Sequence, residues 1–282
     1  MPRIHLVTYA TPRFRLRQLI LGASARINGV AHTVTSWTPG MLIEAGFEKR
    51  CKDIKLSERG SGFWAWKPFI IDAKLRVIPD GDLVFYCDVG RLYHFKLLDQ
   101  PIAPFVRWMD DHRQDVMPGV EIPWDGDTSV WTKREALVAT GMDRAEIHAA
   151  PPVQASFSIW RAGTRSREFI GQWLELCAQR SLISDDPSGE GLTELPGFRG
   201  HRHDQALLTL CCLKHGLAGL DLGSQEPSID TRHPSQVSRL RFSESAGGIS
   251  PAGWLLRAAV WPVEQLEQQV RHTVKFEKSI QE

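Results

Sequence analysis

The chain has 282 residues, of which 42% are apolar and 24% are charged, and its formal net charge is +1. This composition is typical of a folded globular protein and excludes a largely disordered or collagen-like chain. The near-neutral charge gives no electrostatic reason to expect nucleic acid as a partner. No apolar run reaches the about 18 residues that a membrane-spanning helix needs, and the first residues do not resemble a signal peptide.

The chain contains five cysteines and no Cys-x-x-Cys pair, so reduced thiols in a cytoplasmic protein are the simplest expectation. No linker-like stretch divides the chain near its middle. We therefore expect one domain over residues 1–282, with a helical segment at about 251–282. That segment either packs back on the domain or lies on the inner face of a membrane, as a peripheral anchor would.

The first forty residues predict a strand, a helix and a second strand. Apolar patterns at 4–8 and 32–37 indicate the two strands, and Thr11-Pro12 marks the start of the helix between them. The predicted apolar face of this helix comprises Leu16, Leu19, Ile20 and Ala23. This order of elements is typical of a Rossmann-like nucleotide-binding half.

Two residues at the end of the first strand, Thr8 and Tyr9, are candidates to contact the base and ribose of a nucleotide. An ordinary strand-to-helix turn explains them equally well. No Gly-x-Gly-x-x-Gly motif follows the strand, and the chain has no phosphate-binding loop of the Walker type. Dinucleotide enzymes and P-loop NTPases are therefore disfavoured.

The stretch from 60 to 90, GSGFWAWKPFIIDAKLRVIPDGDLVFYCDVG, predicts a loop, a helix, a turn and a buried strand. Pro68 suits the first position of a helix, and the strand corresponds to the apolar run at 83–86. The predicted apolar face of the helix comprises Phe69, Ile70, Ala73 and Val77. Asp88 and Gly90 follow the strand, and ligands of open α/β sheets bind just beyond the carboxyl ends of the strands.

Lys67 immediately precedes the predicted helix, so its charge adds to the anion-binding N-terminus of that helix. Asp88 offers a carboxylate to a divalent cation. Together the two residues predict a site in which a pyrophosphate is held across one cleft. Trp64 and Trp66 are predicted to wall an adjoining sugar pocket.

The pattern Gly-x-Gly-Phe-Trp-x-Trp-Lys-Pro, followed by an apolar strand and Tyr-Cys-Asp-Val-Gly, resembles a group of bacterial glycosyltransferases of the GT-A fold that act in surface polysaccharide or lipopolysaccharide synthesis. The resemblance implies a Rossmann-like α/β fold with a mixed, mostly parallel central sheet flanked by helices. It also implies Mn2+ or Mg2+ held by Asp88 on the sugar-nucleotide diphosphate, although Gly90 stands where those enzymes carry a second aspartate.

Two later stretches carry local sequence patterns of a strand and of a helix start. Residues 154–160 alternate and predict a strand. By position it resembles the sugar-pocket strand of glycogenin-like transferases, which makes Gln154 and Ser156 substrate-binding candidates. Thr132 and Glu135 have the spacing of a capping box and predict a helix start.

The segment His203-Asp204-Gln205 opens a predicted buried helix. Asp204 is either its N-cap or, by resemblance to the Asp-Gln helix start of GT-A enzymes, a residue that binds reacting hydroxyls or acts as base. His203 and Gln205 accompany it as substrate-binding candidates. The resemblance also suggests His233 as a metal ligand; a surface histidine is the alternative.

These features predict a glycosyltransferase that moves a hexose from a nucleoside-diphosphate sugar, with a UDP-sugar as first choice, to a saccharide or lipid-linked acceptor. Asp204 and Asp88 are the predicted catalytic residues. A non-catalytic sugar- or nucleotide-binding protein of the same fold remains an alternative. A sugar nucleotidyltransferase is disfavoured, because TYATPRFR after the first strand is not the glycine-rich basic loop that such enzymes need.

Overall fold

The computed structural model describes residues 2–89, 98, 102–189 and 191–221, together with the isolated positions 255, 258, 259 and 262. Gly90, His233 and nearly all of the predicted C-terminal helix lie outside the described residues, so the predictions made for them stay predictions.

Seven strands lie in the described part of the chain: β1 Ile4–Tyr9, β2 Thr33–Trp37, β3 Leu83–Cys87, β4 Val116–Met117, β5 Val120–Glu121, β6 Val153–Gln154 and β7 Phe157–Arg161. Five of them form the central sheet in the order β2-β1-β3-β7-β4, and β5 pairs with β6 in a small second sheet. β1 is parallel to β2 and β3, whereas β7 is antiparallel to β3 and β4. Four of the five strands therefore run the same way, which confirms the predicted mixed, mostly parallel sheet.

The helices of the described residues are α1 Arg15–Ile27, α2 Pro39–Glu44, α3 Phe47–Arg50, α4 Trp66–Leu75, α5 Ala103–Asp111, α6 Thr128–Trp131, α7 Arg134–Ala139, α8 Ala145–His148, α9 Thr164–Cys177, α10 Arg180–Ile183 and α11 His203–His215. Helices α4, α9 and α11 pack on one face of the sheet, where Val84 and Trp160 point. Helices α1 and α5 cover the other face, where Phe85 and Ile159 point. Helices thus flank the sheet on both sides, as predicted.

The predicted apolar face of α1 is wrong. Leu16 and Leu19 are 63% and 51% exposed, whereas the helix buries Gln18, Leu21 and Ala25. The buried face includes the small residues Gly22, Ser24 and Ala25, and a Cβ at Gly22 would lie 3.0 Å from a methyl carbon of Val34, so the helix lies close against the sheet there. Both faces repeat with helical spacing, and the buried one contains the positions that allow this close approach.

The start and end of α4 also differ from the prediction. The helix begins at Trp66 and ends at Leu75, so Pro68 is its third residue and Val77 lies beyond it, 74% exposed. Lys67 consequently belongs to the first helical turn rather than to the loop before it. Proline is tolerated there because the first helical N–H groups have no partner within the helix.

The capping box predicted at α7 is not formed. The N-cap is Lys133, and the first helical N–H groups are bound instead by side chains of a distant loop. Arg134 N donates to a carboxylate oxygen of Glu194 at 2.8 Å, and Glu135 N donates to the Ser188 hydroxyl at 3.2 Å. The helix start is thus completed by tertiary contacts, which local spacing does not reveal.

The strand predicted at 154–160 is interrupted. Gln154 ends β6, β7 begins at Phe157, and a turn at Ala155 and Ser156 separates them. The break lies at the same edge of the sheet as the carboxyl end of β3, because β7 runs antiparallel to β3 and Asp88 N donates to Ser156 O at 2.8 Å. The interruption therefore brings two predicted site segments together.

All five cysteines lie among the described residues, and all are buried and outside any disulfide. No helix in the described part of the chain has the length and apolar character needed to cross a membrane.

Candidate functional site

A cleft of about 960 Å³ opens where β1 and β3 end, at the carboxyl edge of the parallel strands. Six segments of the chain form it: the ends of β1 and β3, the turn before α4, the short turn after β5 that carries Asp125, the break between β6 and β7, and the start of α11. The predicted residues that line it are Tyr9, Trp64, Trp66, Lys67, Asp88, Gln154, Ser156, His203, Asp204 and Gln205. Ligands of open α/β sheets bind at this edge, so the topology supports the predicted location.

One wall of the cleft is a left-handed turn. Residues 60 to 64 all have positive φ, with values of 62, 57, 85, 53 and 60°. A Cβ at Gly60 would lie 2.5 Å from the Trp64 ring, and one at Gly62 would lie 2.7 Å from Ile54, so both positions require glycine. Each non-glycine residue in this conformation costs about 1–2 kcal/mol. Strain of this kind concentrates at functional sites, and this turn directs Ser61 and Trp64 towards the cleft.

At the floor of the cleft, the ammonium of Lys67 is surrounded by three oxygen atoms. Nζ donates to the carbonyl oxygen of Ala155 at 3.0 Å and lies 3.0 Å from Asp204 Oδ2 and 3.5 Å from Asp88 Oδ1. The carbonyl oxygen accepts one N–H of the ammonium, and the two carboxylates balance its charge as ion pairs. Burial alone would lower the pKa of Lys67, but the carboxylates of Asp204 and Asp88 outweigh it and raise that pKa, so the lysine is charged.

Asp204 is almost completely buried, with 3% of its surface exposed. Burial raises its pKa to about 6, although Lys67 opposes the shift. Its Oδ2 makes the 3.0 Å contact with Lys67 as an ion pair without the alignment of a hydrogen bond, and among the described residues this oxygen has no hydrogen-bond donor. Asp204 therefore keeps an acceptor for a ligand. The N-cap alternative is not realised, because the N-cap of α11 is Arg202.

Asp88 is the more open of the two carboxylates, with 31% of its side chain exposed. Its Oδ1 accepts a hydrogen bond from the hydroxyl of Tyr86 and is the atom nearest to Lys67. Burial, followed by the Asp88 charge, raises the pKa of Tyr86 well above its ordinary range, so this phenol stays a donor. Lysine and tyrosine thus hold one oxygen of Asp88 and orient the other.

Two buried polar atoms of the lining, Gln154 Oε1 and Gln205 Nε2, have no hydrogen-bond partner within the part of the chain that the structure describes. His201 Nδ1 accepts from the backbone N–H of Lys133 at 3.3 Å, so Nε2 carries the ring proton. Burial lowers the pKa of His201 to about 3, which keeps the ring neutral. A buried polar atom without a partner is costly, so the two glutamine atoms are open to hydrogen bonds with water or a ligand.

His203 packs against the left-handed turn that forms one wall of the cleft and not against the Lys67 ammonium at its floor. Its ring stacks on Phe63 with centroids 5.4 Å apart, and its Nε2 contacts Asp185 Oδ1 at 3.0 Å. Burial lowers the pKa of His203 in spite of Asp185. The residue itself has a positive φ of 50° and links the left-handed turn to the start of α11.

Not all predicted residues reach the cleft. Thr8 is fully buried within β1 and does not line it, because the strand continues to Tyr9 and successive side chains point to opposite faces. Lys67 faces Asp88, as predicted, but it is only 5% exposed and already engaged by three oxygens. Its contacts therefore do not support the direct grip on a pyrophosphate that the sequence suggested.

Several residues of the site were not predicted from the sequence. Arg13, Ser61 and His201 line the cleft, and the hydroxyl of Tyr86 orients Asp88. Arg59, for which the sequence favours a solvated charge over a phosphate contact, also lines the cleft. The cluster of arginines after β1 was a signal for Arg13, because that segment follows a strand at the ligand-binding edge. His201 carried no such signal, since its role depends on Lys133, 68 positions away along the chain.

The metal ion that the resemblance implies is a poor fit to the described residues. Within them, no group of three His, Cys, Asp or Glu side chains could hold a metal ion. Asp88 and Asp204 share the ammonium of Lys67, and Asp88 Oδ1 also accepts from Tyr86. Two of the four carboxylate oxygens that could bind a divalent cation are thus adjacent to the ammonium.

Comparisons of the chain with protein-family models and with curated proteins gave no match. The fold and the cleft by themselves define an α/β protein with a mixed, mostly parallel sheet and a polar, aromatic-walled cleft at its carboxyl edge.

Proposed function

We propose that the protein is a glycosyltransferase of the GT-A type that moves a hexose from a nucleoside-diphosphate sugar, most simply a UDP-sugar, to a saccharide or lipid-linked acceptor. The observation that carries the proposal is the presence of the buried, unpartnered polar atoms of Gln154 and Gln205 in one cleft with the Asp204 carboxylate. A sugar presents both donors and acceptors around a ring, which is the complement of this set.

The volume of the cleft and the residues that line it are compatible with a nucleotide sugar. A volume of about 960 Å³ is at the upper end for ligand pockets, which leaves room for a donor and part of an acceptor. Tyr9 and Trp66 pack with ring centroids 4.2 Å apart, and the Trp66 indole N–H donates to Gly60 O at 2.9 Å. Flat aromatic rings held in this way suit the apolar face of a sugar or a base.

In this function Asp204 is the group that accepts a proton. With a pKa of about 6 it is ionised at neutral pH yet basic enough to take the proton of an acceptor hydroxyl in an inverting reaction. In a retaining reaction the same oxygen binds a hydroxyl of the reacting sugar. Lys67 holds Asp204 and Asp88 in place from below, so both carboxylates are oriented before substrate arrives.

Negative charge grows on the departing diphosphate during transfer. Arg13 and Arg59 line the cleft and supply positive charge. Arg59 is paired with Asp185 at 3.3 Å, but both side chains are about half exposed or more, so the pair is weak and Arg59 is available to a phosphate. Guanidinium groups match phosphate oxygens in pairs, which favours arginine for this role.

The test is calorimetric binding of a panel of common nucleotide sugars, followed by an assay for release of the nucleoside diphosphate. We expect measurable heat for at least one UDP-sugar and strongly reduced release of the nucleoside diphosphate in Asp204→Asn. Asp110→Asn is the matched control, because Asp110 lies at the end of α5 and pairs with Arg161, away from the cleft. The absence of heat for every nucleotide sugar would contradict the proposal. Heat without release of the diphosphate would favour the non-catalytic binding protein instead.

A further inference from the structure

We infer that the ammonium of Lys67 is a built-in cation that takes the place of a divalent metal ion between Asp88 and Asp204, so that the cleft binds its donor without metal. The statement that a nucleotide sugar binds without metal rests on the proposed function. The statement that the Lys67 ammonium takes the place of a metal ion rests only on the positions of Lys67, Asp88 and Asp204.

The three groups reach one point from three separate elements. Lys67 projects from the first turn of α4, Asp88 follows β3, and Asp204 lies in the first turn of α11. The side chains of Lys67 and Asp204 are only 6% and 5% exposed, so neither can turn out to solvent without opening the core. A buried ammonium is stable only with such partners, and the Ala155 carbonyl completes its surroundings.

The position of the ammonium conflicts with a bound metal. A divalent cation on Asp88 Oδ1 would share that oxygen with Lys67 Nζ, which is 3.5 Å away, and with the hydroxyl of Tyr86. A cation on Asp204 Oδ2 would meet the same ammonium at 3.0 Å from that oxygen. Like charges repel strongly where they are buried, as the side chains of Lys67 and Asp204 are, so the metal and Lys67 exclude each other.

Removing the ammonium should therefore create the metal site. In Lys67→Ala the two carboxylates lose their shared partner and face the space that the lysine side chain occupied. They then offer oxygen ligands of the kind that Mn2+ and Mg2+ prefer. The substitution thus replaces a cation that belongs to the protein by a metal ion taken up from solution.

The first experiment titrates Mn2+ into the protein without any nucleotide, followed by electron paramagnetic resonance and by calorimetry. We expect no specific site in the unaltered protein and one site in Lys67→Ala, tighter by about a hundredfold or more because the repulsion is gone. The double variant Lys67→Ala with Asp88→Asn should lose the new site. Lys74→Ala is the control, since Lys74 is on the same helix but does not line the cleft.

A specific Mn2+ site in the unaltered protein that Asp88→Asn removes would overturn the inference. So would a folded Lys67→Ala that gains no site. Circular dichroism and thermal unfolding check the variants. If Lys67→Ala does not fold, Lys67→Met keeps the length of the buried chain while removing the charge, and the unaltered protein still decides the question by whether Asp88 holds Mn2+.

The second experiment measures binding of the best nucleotide sugar with excess EDTA and again with Mn2+. Equal affinity under both conditions supports a donor site that needs no metal. Affinity that EDTA abolishes and Mn2+ restores would overturn the inference while leaving the proposed function intact. If no nucleotide sugar binds under either condition, the proposed function fails, and the metal titration alone then decides the exchange of cations.

Discussion

Among the single residues of the cleft, Asp204 is distinguished by its burial and by its raised pKa. A carboxylate this deeply buried is stable in ionised form only because Lys67 lies 3.0 Å away, yet burial still raises its pKa to about 6. The nearby histidines differ from it: burial lowers the pKa of both His201 and His203, so neither gains charge as readily as a free histidine. Asp204 is thus the residue of this cleft expected to titrate just below neutral pH.

The first prediction concerns the pH dependence of transfer. We expect kcat/KM to be constant above about pH 6 and to fall with unit slope below it, because a protonated Asp204 accepts no proton. Asp204→Asn should lower kcat by about 100-fold or more and remove this acidic limb. The measurement is a pH–rate profile of both proteins.

Asp110→Asn serves as the control and should keep the full profile. An acidic limb that persists unchanged in Asp204→Asn would assign the titrating group to another residue.

At the scale of elements, the left-handed turn before α4 fixes the shape of the cleft. Gly60 and Gly62 allow the left-handed backbone conformation of the turn. The indole N–H of Trp66, after the turn, donates a hydrogen bond to the carbonyl oxygen of Gly60 at its start. The turn then leads directly into the helix that carries Lys67. A small change in its backbone would therefore move the wall and the floor of the cleft together.

The second prediction tests that turn. Gly62→Ala places a Cβ 2.7 Å from Ile54 at a φ of 85°, so we expect it to lower the free energy of unfolding by about 1–3 kcal/mol. Gly171→Ala is the control, because Gly171 lies in α9 with nothing within 4 Å of its added Cβ. There alanine should raise stability by up to about 1 kcal/mol, since it favours helix. Urea denaturation measures both, and equal effects would argue against strain in the turn.

The third prediction concerns α1. Replacing the exposed Leu16 and Leu19 by serine should change the free energy of unfolding by no more than about 0.5 kcal/mol each. Leu21→Ala, on the buried face, should cost about 2–5 kcal/mol. Thermal and urea unfolding of the variants distinguish the two faces. A large loss at Leu16 would show that the exposed face is covered in solution.

At the scale of the whole molecule, the sheet separates two apolar clusters that share its strands. Alternating residues of β3 serve both, with Val84 and Tyr86 on one side and Leu83 and Phe85 on the other. Because each strand supports both layers, loss of one should expose the other. The five buried cysteines, which lie in both clusters, report on this coupling.

The fourth prediction uses these thiols. In the native protein all five should react very slowly with a disulfide reagent, because they are buried and burial raises the pKa of Cys51 to about 11 and of Cys211 to about 12. In denaturant all five should react at once. Thiol titration against guanidinium concentration should follow the circular-dichroism transition. Fast labelling of any cysteine below that transition would reveal a part of the molecule that opens separately.

Much of the framework was predictable from local patterns. The apolar run at 83–86, ended by turn residues, placed Asp88 at the end of a buried strand, and the parallel-sheet rule then placed it at a ligand-binding edge. The same rule located Tyr9. Aromatic and polar residues near Lys67 and Asp204 were identified as site candidates, and most of them line the cleft.

Local sequence patterns gave wrong or no predictions where two structures fit the same stretch of sequence equally well. Helix α1 has two faces of helical spacing, and only packing against Val34 decides between them. The left-handed turn has no periodic signature, because its conformation is imposed by what surrounds Gly60 and Gly62. The start of α7 is completed by Glu194 and Ser188, which lie far away in the sequence.

Short-range sequence was enough to establish the succession of strands and helices, since hydrophobic spacing is a property of neighbouring residues. The ionic centre was settled only by the folded chain. Lys67, Asp88 and Asp204 come from three distant segments, and whether a lysine meets solvent, a phosphate or two carboxylates depends on how those segments pack. Electrostatic energy varies with distances of a few ångströms and with burial, and neither quantity is encoded in any one stretch of sequence.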